Sequence, residues 1–400
     1  MQANLKLVST FAKNFWRARV RGNTLVDPLG VTWHATNACN FRCNYCDDGK
    51  GHMYPDIKSY TMKTDEVKHV LGLAREKVSL LYITGGEPLI RKDLGEIMRW
   101  AKEDAGYSYI GISTNGVLIH RREEILEHVD GLVISLDSMD DARYDAILNV
   151  GPGASRAIKD SLIRYGALRG KHKYSLTVSC VIMPGLINDA REVMKFCFEH
   201  DIGFAAMPQS VGPYPHPDLR NNAEYVELID EVIESKKKGY PVWGSYPYFK
   251  TIRDFTKFQC YPTTAPRIFP NGDLMYPCSP LDKVAGNLRG AKTFDEVFHA
   301  GIDKHGPIPD CDTRCFASCY IETSHTMNFP TSIIWEHFDL WNRVRRLVLK
   351  ARRPRRDDTE LPDIQLPDGA LPPEDESAAD AGDLIQIRSP SAPARAAGPS

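Results

Sequence analysis

Two hydrophobic periods take turns along the first half of the chain. Short runs rich in β-branched and aromatic residues lie at 31–36, 79–84, 107–113, 131–136, 174–182 and 202–207, with the length and composition of strands. Between them, at about 64–77, 92–104, 121–128, 155–168 and 188–200, apolar residues recur at the three-to-four spacing of a helix. Strands alternating with helices predict a parallel sheet with crossover helices. Six such units suit a partial (β/α)6 TIM-like barrel better than a small doubly wound sheet. In α/β barrels the chemistry gathers at the C-terminal ends of the strands.

The flanks read differently. Residues 4–21 are expected to form a helix with Leu5, Val8, Phe11, Phe15 and Trp16 near helical spacing and Lys6, Lys13, Arg17 and Arg19 between them. It either packs on the outside of the domain or lies on a membrane surface. Past a helical stretch near 222–237 comes an aromatic-rich connection containing Tyr240, Trp243, Tyr246, Tyr248 and Phe249. Asn271-Gly272 predicts a hairpin turn into a short strand, and Phe294–His299 a short helix. Residues 332–350 repeat the amphipathic pattern and run into a basic cluster, Arg343 to Arg356; this helix either packs on the barrel or attaches to anionic lipid. From 357 the composition turns to Pro, Asp, Ala and Ser, which predicts a disordered tail. The expected divisions are 1–29, 30–215, 216–259, 260–325, 326–356 and 357–400.

Charge changes the picture little. The 400 residues carry 50 Lys and Arg against 52 Asp and Glu, so no general nucleic-acid footprint follows. No stretch approaches the eighteen apolar residues of a membrane span. Ten cysteines without a small-residue cleavage site after the N-terminal apolar residues point to a reducing compartment, where clustered thiols mean metal. The expected location is the cytoplasm, with peripheral contact at the inner membrane face as the reading that the terminal helices suggest.

The cysteines carry the chemistry. Cys39, Cys43 and Cys46 follow the first expected strand in C-x3-C-x2-C spacing, enough to hold three corners of a [4Fe–4S] cubane and leave one iron open. Structural zinc prefers four ligands and CxxC pairs, and a disulfide fits an odd count in a short loop poorly. Gly85-Gly86-Glu87-Pro88 follows the second strand; glycines allow close backbone approach and a carboxylate binds an ammonium. The plain alternative is a strand-to-helix turn. Ser113-Thr114-Asn115-Gly116 and Ser135-Leu136-Asp137-Ser138 end the third and fourth strands, where short polar side chains suit ribose or carboxylate but could equally cap helices. Cys180 and Cys197 stand alone and are expected to be buried as small hydrophobes.

The cysteine triplet, with an aromatic before its last member, and the GGEP segment resemble the radical S-adenosylmethionine (SAM) enzymes. The resemblance covers roughly residues 30–320. It implies that Cys39, Cys43 and Cys46 hold a cluster whose open iron is chelated by SAM, and that Gly85, Gly86 and Glu87 contact the SAM amino group. Ser113, Asn115 and Ser135 then line the ribose, carboxylate or substrate pocket, with Arg143 or Arg156 loosely near the carboxylate. Reductive cleavage of SAM would give a 5′-deoxyadenosyl radical that takes a hydrogen atom from substrate.

The later cysteines, Cys260, Cys278, Cys311, Cys315 and Cys319, resemble the SPASM or "twitch" extension that binds auxiliary [4Fe–4S] clusters. They depart from it in two ways: five residues separate Gly272 from Cys278 where four are usual, and the terminal group is short of cysteines. Five thiols complete one cubane, which implies one auxiliary cluster on Cys260, Cys278 and Cys319 with either Cys311 or Cys315. The resemblance implies a net oxidation or bond-forming step in which the auxiliary cluster accepts the substrate radical's electron or ligates substrate, while an external one-electron reductant such as flavodoxin or ferredoxin supplies the electron for SAM cleavage. The resemblance leaves the substrate open among ribosomal peptides, a protein Ser or Cys, sugars and other small molecules, while the terminal helices point to a lipid or lipid-linked intermediate. Peptide readers usually carry a further N-terminal domain, for which some thirty residues leave no room. The competing class is a non-catalytic iron–sulfur carrier or scaffold, which would not need GGEP.

Overall fold

A computed structural model describes residues 2–46, 52–308, 315–330, 362 and 364–365. The expected helix at 332–350, nearly all of the tail and Cys311 lie outside the described residues. After α1 (Gln2–Val20), strands β1 (Val31–His34), β2 (Leu80–Thr84), β3 (Tyr109–Thr114), β4 (Gly131–Ser135), β5 (Ser175–Ile182) and β6 (Gly203–Pro208) pair in parallel and in chain order. Their crossovers contain α2 (Thr64–Lys77), α3 (Leu94–Glu103), α4 (Asp141–Leu148), α5 (Ala154–His172) and α6 (Ile187–Glu199). This is the expected α/β partial barrel. The pattern at 121–128 forms 3-10 turns instead, at Ile119–Arg121 and Glu123–Glu127. Helix α4 was not expected; Asp140 caps its N-terminus through the Arg143 amide and Asn149 ends it in the left-handed region.

Side chains one residue apart on a strand face opposite ways. Leu81, Ile83, Ile110, Ile112, Leu132, Ile134, Val178 and Phe204 are buried in one core with the helices. The alternate positions, Tyr82, Ser113, Val133, Ser135, Thr177, Ser179 and Met207, are half-buried and share the other, concave face. Burying one face of apolar side chains fixes the register, because a slip of one residue would exchange the two sets.

A small ribbon of β7 (Ser210–Val211) and β8 (Tyr214–Pro215) follows, then α7 (Ala223–Lys237) and α8 (Tyr246–Asp254). The aromatic connection is therefore partly helical: Ser245 caps α8 by accepting from the Tyr248 amide, and Pro247 sits where its missing N–H costs nothing. Strands β9 (Arg267–Ile268), β10 (Asp273–Met275) and β11 (Val284–Asn287) extend the same sheet beyond β1, giving the order β11-β10-β9-β1-β2-β3-β4-β5-β6. Gly272 takes a positive φ in the β9–β10 turn. Two helices complete the described chain, α9 (Phe294–His305) and α10 (Ser318–Asn328). Tyr248 joins α8 to both β6 and α10, donating to Ala206 O at 2.8 Å and lying 2.9 Å from Ser318 Oγ.

Candidate active site

The mouth of the barrel is built from loops zipped to one another by backbone. Beyond β1 and β2 the chains continue side by side: Ala35 N donates to Thr84 O at 2.7 Å, Gly86 N to Thr36 O at 2.8 Å and Glu87 N to Ala38 O at 2.8 Å. A Cβ on Gly86 would stand 2.3 Å from Ala38 O, and one on Gly85 would stand 2.5 Å from Thr36 O, with Gly85 at a φ of +149°. The two glycines thus let the segment leading to the cysteines approach. Two further bonds, Arg42 N to Leu148 O at 3.1 Å and Asn44 N to Ile147 O at 3.0 Å, pin the cysteine loop to the end of α4. Phe41 anchors it in the core.

On this loop Cys39 and Cys43 are half-buried and Cys46 is exposed. Burial pushes the Cys39 thiol up to about 12, helped by the charge of Glu87. Burial also raises Cys43, and the neighbouring Cys46 and Cys39 raise it further. A cationic cluster core bound by the three would act the other way and hold each as a thiolate. Among the described residues no three Cys, His, Asp or Glu side chains converge on one ion-sized site; a cubane asks for wider spacing, with one thiolate on each of three irons and the fourth iron open. The donor set fits a three-cysteine cluster.

Glu87 is buried in the middle of the mouth and lifted to about 7 by that burial. Its Oε1 accepts from the Leu89 amide at 3.0 Å and from Thr114 Oγ1 at 2.7 Å, and its Oε2 from the Asn115 amide at 2.7 Å. The carboxyl therefore braces the GGEP turn against the end of β3. Oε2, with one amide donor here, retains accepting capacity for an ammonium. Asn115 Nδ2 donates to Asn40 Oδ1 at 2.8 Å, tying β3 to the cysteine loop. Ser113 Oγ lies 2.7 Å from Tyr82 OH, and Ser135 stands in register with Ser179 on the concave face. Arg143 and Arg156 do not join this group; they pair with Asp189 at 2.7 Å and Asp160 at 3.2 Å.

Two relationships had no local signal. Tyr45, between Cys43 and Cys46, donates to Asp137 Oδ2 at 2.5 Å, and Asp137 Oδ1 accepts from the Val181 amide at 2.7 Å. Burial raises the Asp137 carboxyl to about 6. Second, Arg267 on β9 faces the concave side in register with Thr32 and donates to Cys319 Sγ at 2.8 Å. Burial opposes its charge, and the facing Cys319 and Tyr320 more than offset this.

The described later cysteines gather around α10. Cys319 lies in its first turn, Cys315 shortly before it, and Cys260 Sγ accepts from Ser324 Oγ at 3.8 Å. Cys278 and Cys319 both raise the Tyr320 hydroxyl, as burial does more strongly. Cys319 also raises Tyr82, across the concave face. Cys319 therefore stands on the concave side of the sheet, with Arg267 and Tyr82. Cys180 and Cys197 are buried in the core, as their isolation suggests.

A model of the radical SAM superfamily matches residues 33–197. A probable GTP 3′,8-cyclase from Methanococcus maripaludis strain S2 is 27% identical over 300 residues, 68% of this chain and 94% of that one. The GTP 3′,8-cyclase of Thermodesulfovibrio yellowstonii is 28% identical, covering 69% of this chain and 89% of its own. The match to that of Chlorobaculum tepidum, 36% identical, spans 28% of this chain and 34% of the relative. Among solved structures, Streptococcus suis SuiB bound to the precursor peptide SuiA gives a TM-score of 0.56 at 17% identity, covering 77% of this chain and 73% of its own. The structure of anSMEcpe with bound AdoMet gives 0.53 at 16%, covering 80% and 98%.

Proposed function

The chain belongs to the radical SAM superfamily and is an enzyme of that kind, and from this premise we propose that it carries out an oxidative or bond-forming reaction on a substrate held between two iron–sulfur clusters. When bound, the cluster and SAM supply reductive cleavage of the sulfonium and a carbon radical able to take a hydrogen atom. Cys39, Cys43 and Cys46 would hold the first cluster. Gly85, Gly86 and Glu87 would receive the SAM amino group, and Ser113, Asn115 and Ser135 its ribose or carboxylate and the substrate. Cys260, Cys278, Cys319 and one of Cys315 and Cys311 would hold the auxiliary cluster. The observation that supports this reading is Cys319 held at 2.8 Å by Arg267 on β9, the strand that pairs with β1, whose end leads into the Cys39 loop.

The protein's own part is positional. The Glu87 brace and the Tyr45–Asp137 bond fix the cysteine loop against the ends of β3, β4 and β5. Tyr248 ties α8 to β6 through Ala206 O and to α10 through Ser318, which fixes both helices beside the sheet. An external one-electron reductant completes the system.

Iron and sulfide analysis after anaerobic reconstitution tests the two-cluster reading. About eight irons are expected in the wild type and about four in the Cys39→Ala/Cys43→Ala/Cys46→Ala variant. Loss of all iron in the variant would remove the auxiliary cluster and favour redox-neutral chemistry.

A second reading, cyclisation of a purine nucleoside triphosphate, is supported by the names of the full-length relatives. The sheet offers a triphosphate little: Arg267 is the one Lys or Arg on β1–β6 and β9–β11, and it is engaged with Cys319. The hydroxyl-rich concave face suits a less charged substrate better. Release of 5′-deoxyadenosine that rises on adding GTP, with a cyclised nucleotide product, would establish the second reading.

A further inference from the structure

Helix α1 has two apolar faces, and the described residues cover one of them. Phe11, Phe15 and Ala18 pack with Val26, Tyr261 and Met327. The rotation of the helix is locked by buried Asn14, which donates to Asp27 O at 2.7 Å and accepts from the Asp27 amide at 2.8 Å. On the outward side Val8, Ala12, Trp16 and Val20 stand at four-residue intervals and form a stripe. Val8 is 64% exposed, Trp16 45% and Val20 66%. Single exposed apolar residues are ordinary on any protein; a stripe along a whole helix, backed by a second apolar face, is not.

Charge follows the stripe. Residues 1–26 contain Lys6, Lys13, Arg17, Arg19 and Arg21 and no Asp or Glu, in a chain whose charges nearly cancel as a whole. Asp27 draws Lys13 and Arg17 to one side, at 2.6 and 2.9 Å. Arg19 and Arg21 remain at the exposed end, the Arg21 guanidinium 4.1 Å from the Trp16 ring centroid and Arg19 reaching Asn328 O beside exposed Phe329. We propose that the outward face of α1 docks the enzyme on an anionic lipid surface, with the Val8–Val20 stripe in the acyl boundary and Arg19 and Arg21 at the headgroups. A nucleic acid would satisfy the arginines but leave the stripe in water; a bilayer interface satisfies both.

The test uses the full-length reconstituted enzyme with vesicles of phosphatidylcholine alone or of equal parts phosphatidylcholine and phosphatidylglycerol. Flotation with the anionic vesicles is expected, weakening as salt shortens the Debye length, with none on the neutral ones. Each basic residue at such a surface is worth about fivefold in partitioning, so Arg19→Gln/Arg21→Gln should bind roughly 25-fold more weakly. Trp16→Ser should also weaken it and remove most of the tryptophan quenching by brominated acyl chains. Unchanged SAM cleavage by these variants shows that they fold. Absence of binding, salt-insensitive binding to neutral vesicles, binding unchanged by the arginine substitutions, or binding to duplex DNA with none to vesicles would each overturn the proposal.

Discussion

Tyr45 donates its hydroxyl to the buried carboxylate of Asp137, so the side chain between the second and third cysteines is fastened to the end of β4. The other carboxylate oxygen takes the Val181 amide on β5. Through this one residue pair the cysteine loop is positioned on two strands at once.

Removing the phenol leaves a buried acceptor short of a partner. Tyr45→Phe should cost about 1–3 kcal/mol of stability. In a double-mutant cycle with Asp137→Asn the two effects should be non-additive by more than about 0.5 kcal/mol. Additive losses in urea unfolding of the iron-free protein would show that the pair is not coupled.

Two glycines should respond in opposite senses to alanine. Gly86→Ala drives a Cβ into two backbone carbonyls, Ala38 O at 2.3 Å and Asn37 O at 2.6 Å, neither of which can rotate away. A loss of more than about 3 kcal/mol, or failure to accumulate as soluble protein, is expected. Gly170 lies in α5 with nothing within 4 Å of an added Cβ. Gly170→Ala should stabilise by about 0.5–1 kcal/mol. Thermal melts of the two variants side by side distinguish these outcomes.

Acid should weaken the fold through histidines held neutral. Burial lowers His325, which lies 2.8 Å from Thr251 Oγ1, to about 4. Burial, with Arg267 adding to it, lowers His34 to about 3. Below pH 6.5 the unfolded chain binds protons that the folded one refuses, so stability falls as pH drops from 6.5 towards 4, by up to about 1.4 kcal/mol per unit for each ring. Glu87 and Asp137, raised to about 7 and about 6, act in the opposite direction over the same range. The informative quantity is therefore the difference from His325→Gln: its stability should slope less steeply with acid than the wild type. Equal slopes would mean that His325 is protonated in the folded state.

The Arg267 contact should register in the auxiliary cluster rather than in iron content. A cationic N–H directed at a ligating sulfur favours the reduced, more negative cluster. Arg267→Gln should leave iron stoichiometry unchanged and move the midpoint potential of that cluster downward in an electron paramagnetic resonance titration. An unmoved potential would separate Cys319 from the cluster.

Much of this enzyme is written in short stretches of chain. The cysteine spacing at 39–46, the GGEP turn and the six apolar runs are local patterns, and the strands fall within a few residues of where those runs lie. Each signal is covalent in scale: a ligand spacing, a turn, a period of two or 3.6. Helix α8 was less visible because its aromatic residues resemble a loop's until Ser245 caps them, and α4 lies in a stretch the periodicity left unassigned. What the sequence left open was every pairing across the barrel. Tyr45 meets Asp137 across 92 residues, Glu87 meets Asn115 across 28, and Arg267 meets Cys319 across 52. The purpose of Gly85 and Gly86 likewise emerged only with the chain that passes 2.3 to 2.5 Å from where their side chains would begin. Such contacts depend on sheet register and on which loops the parallel order brings to one mouth, and register is fixed by burying a whole face at once. Local composition determined the chemistry available to this protein; the folded sheet decided which of those groups meet.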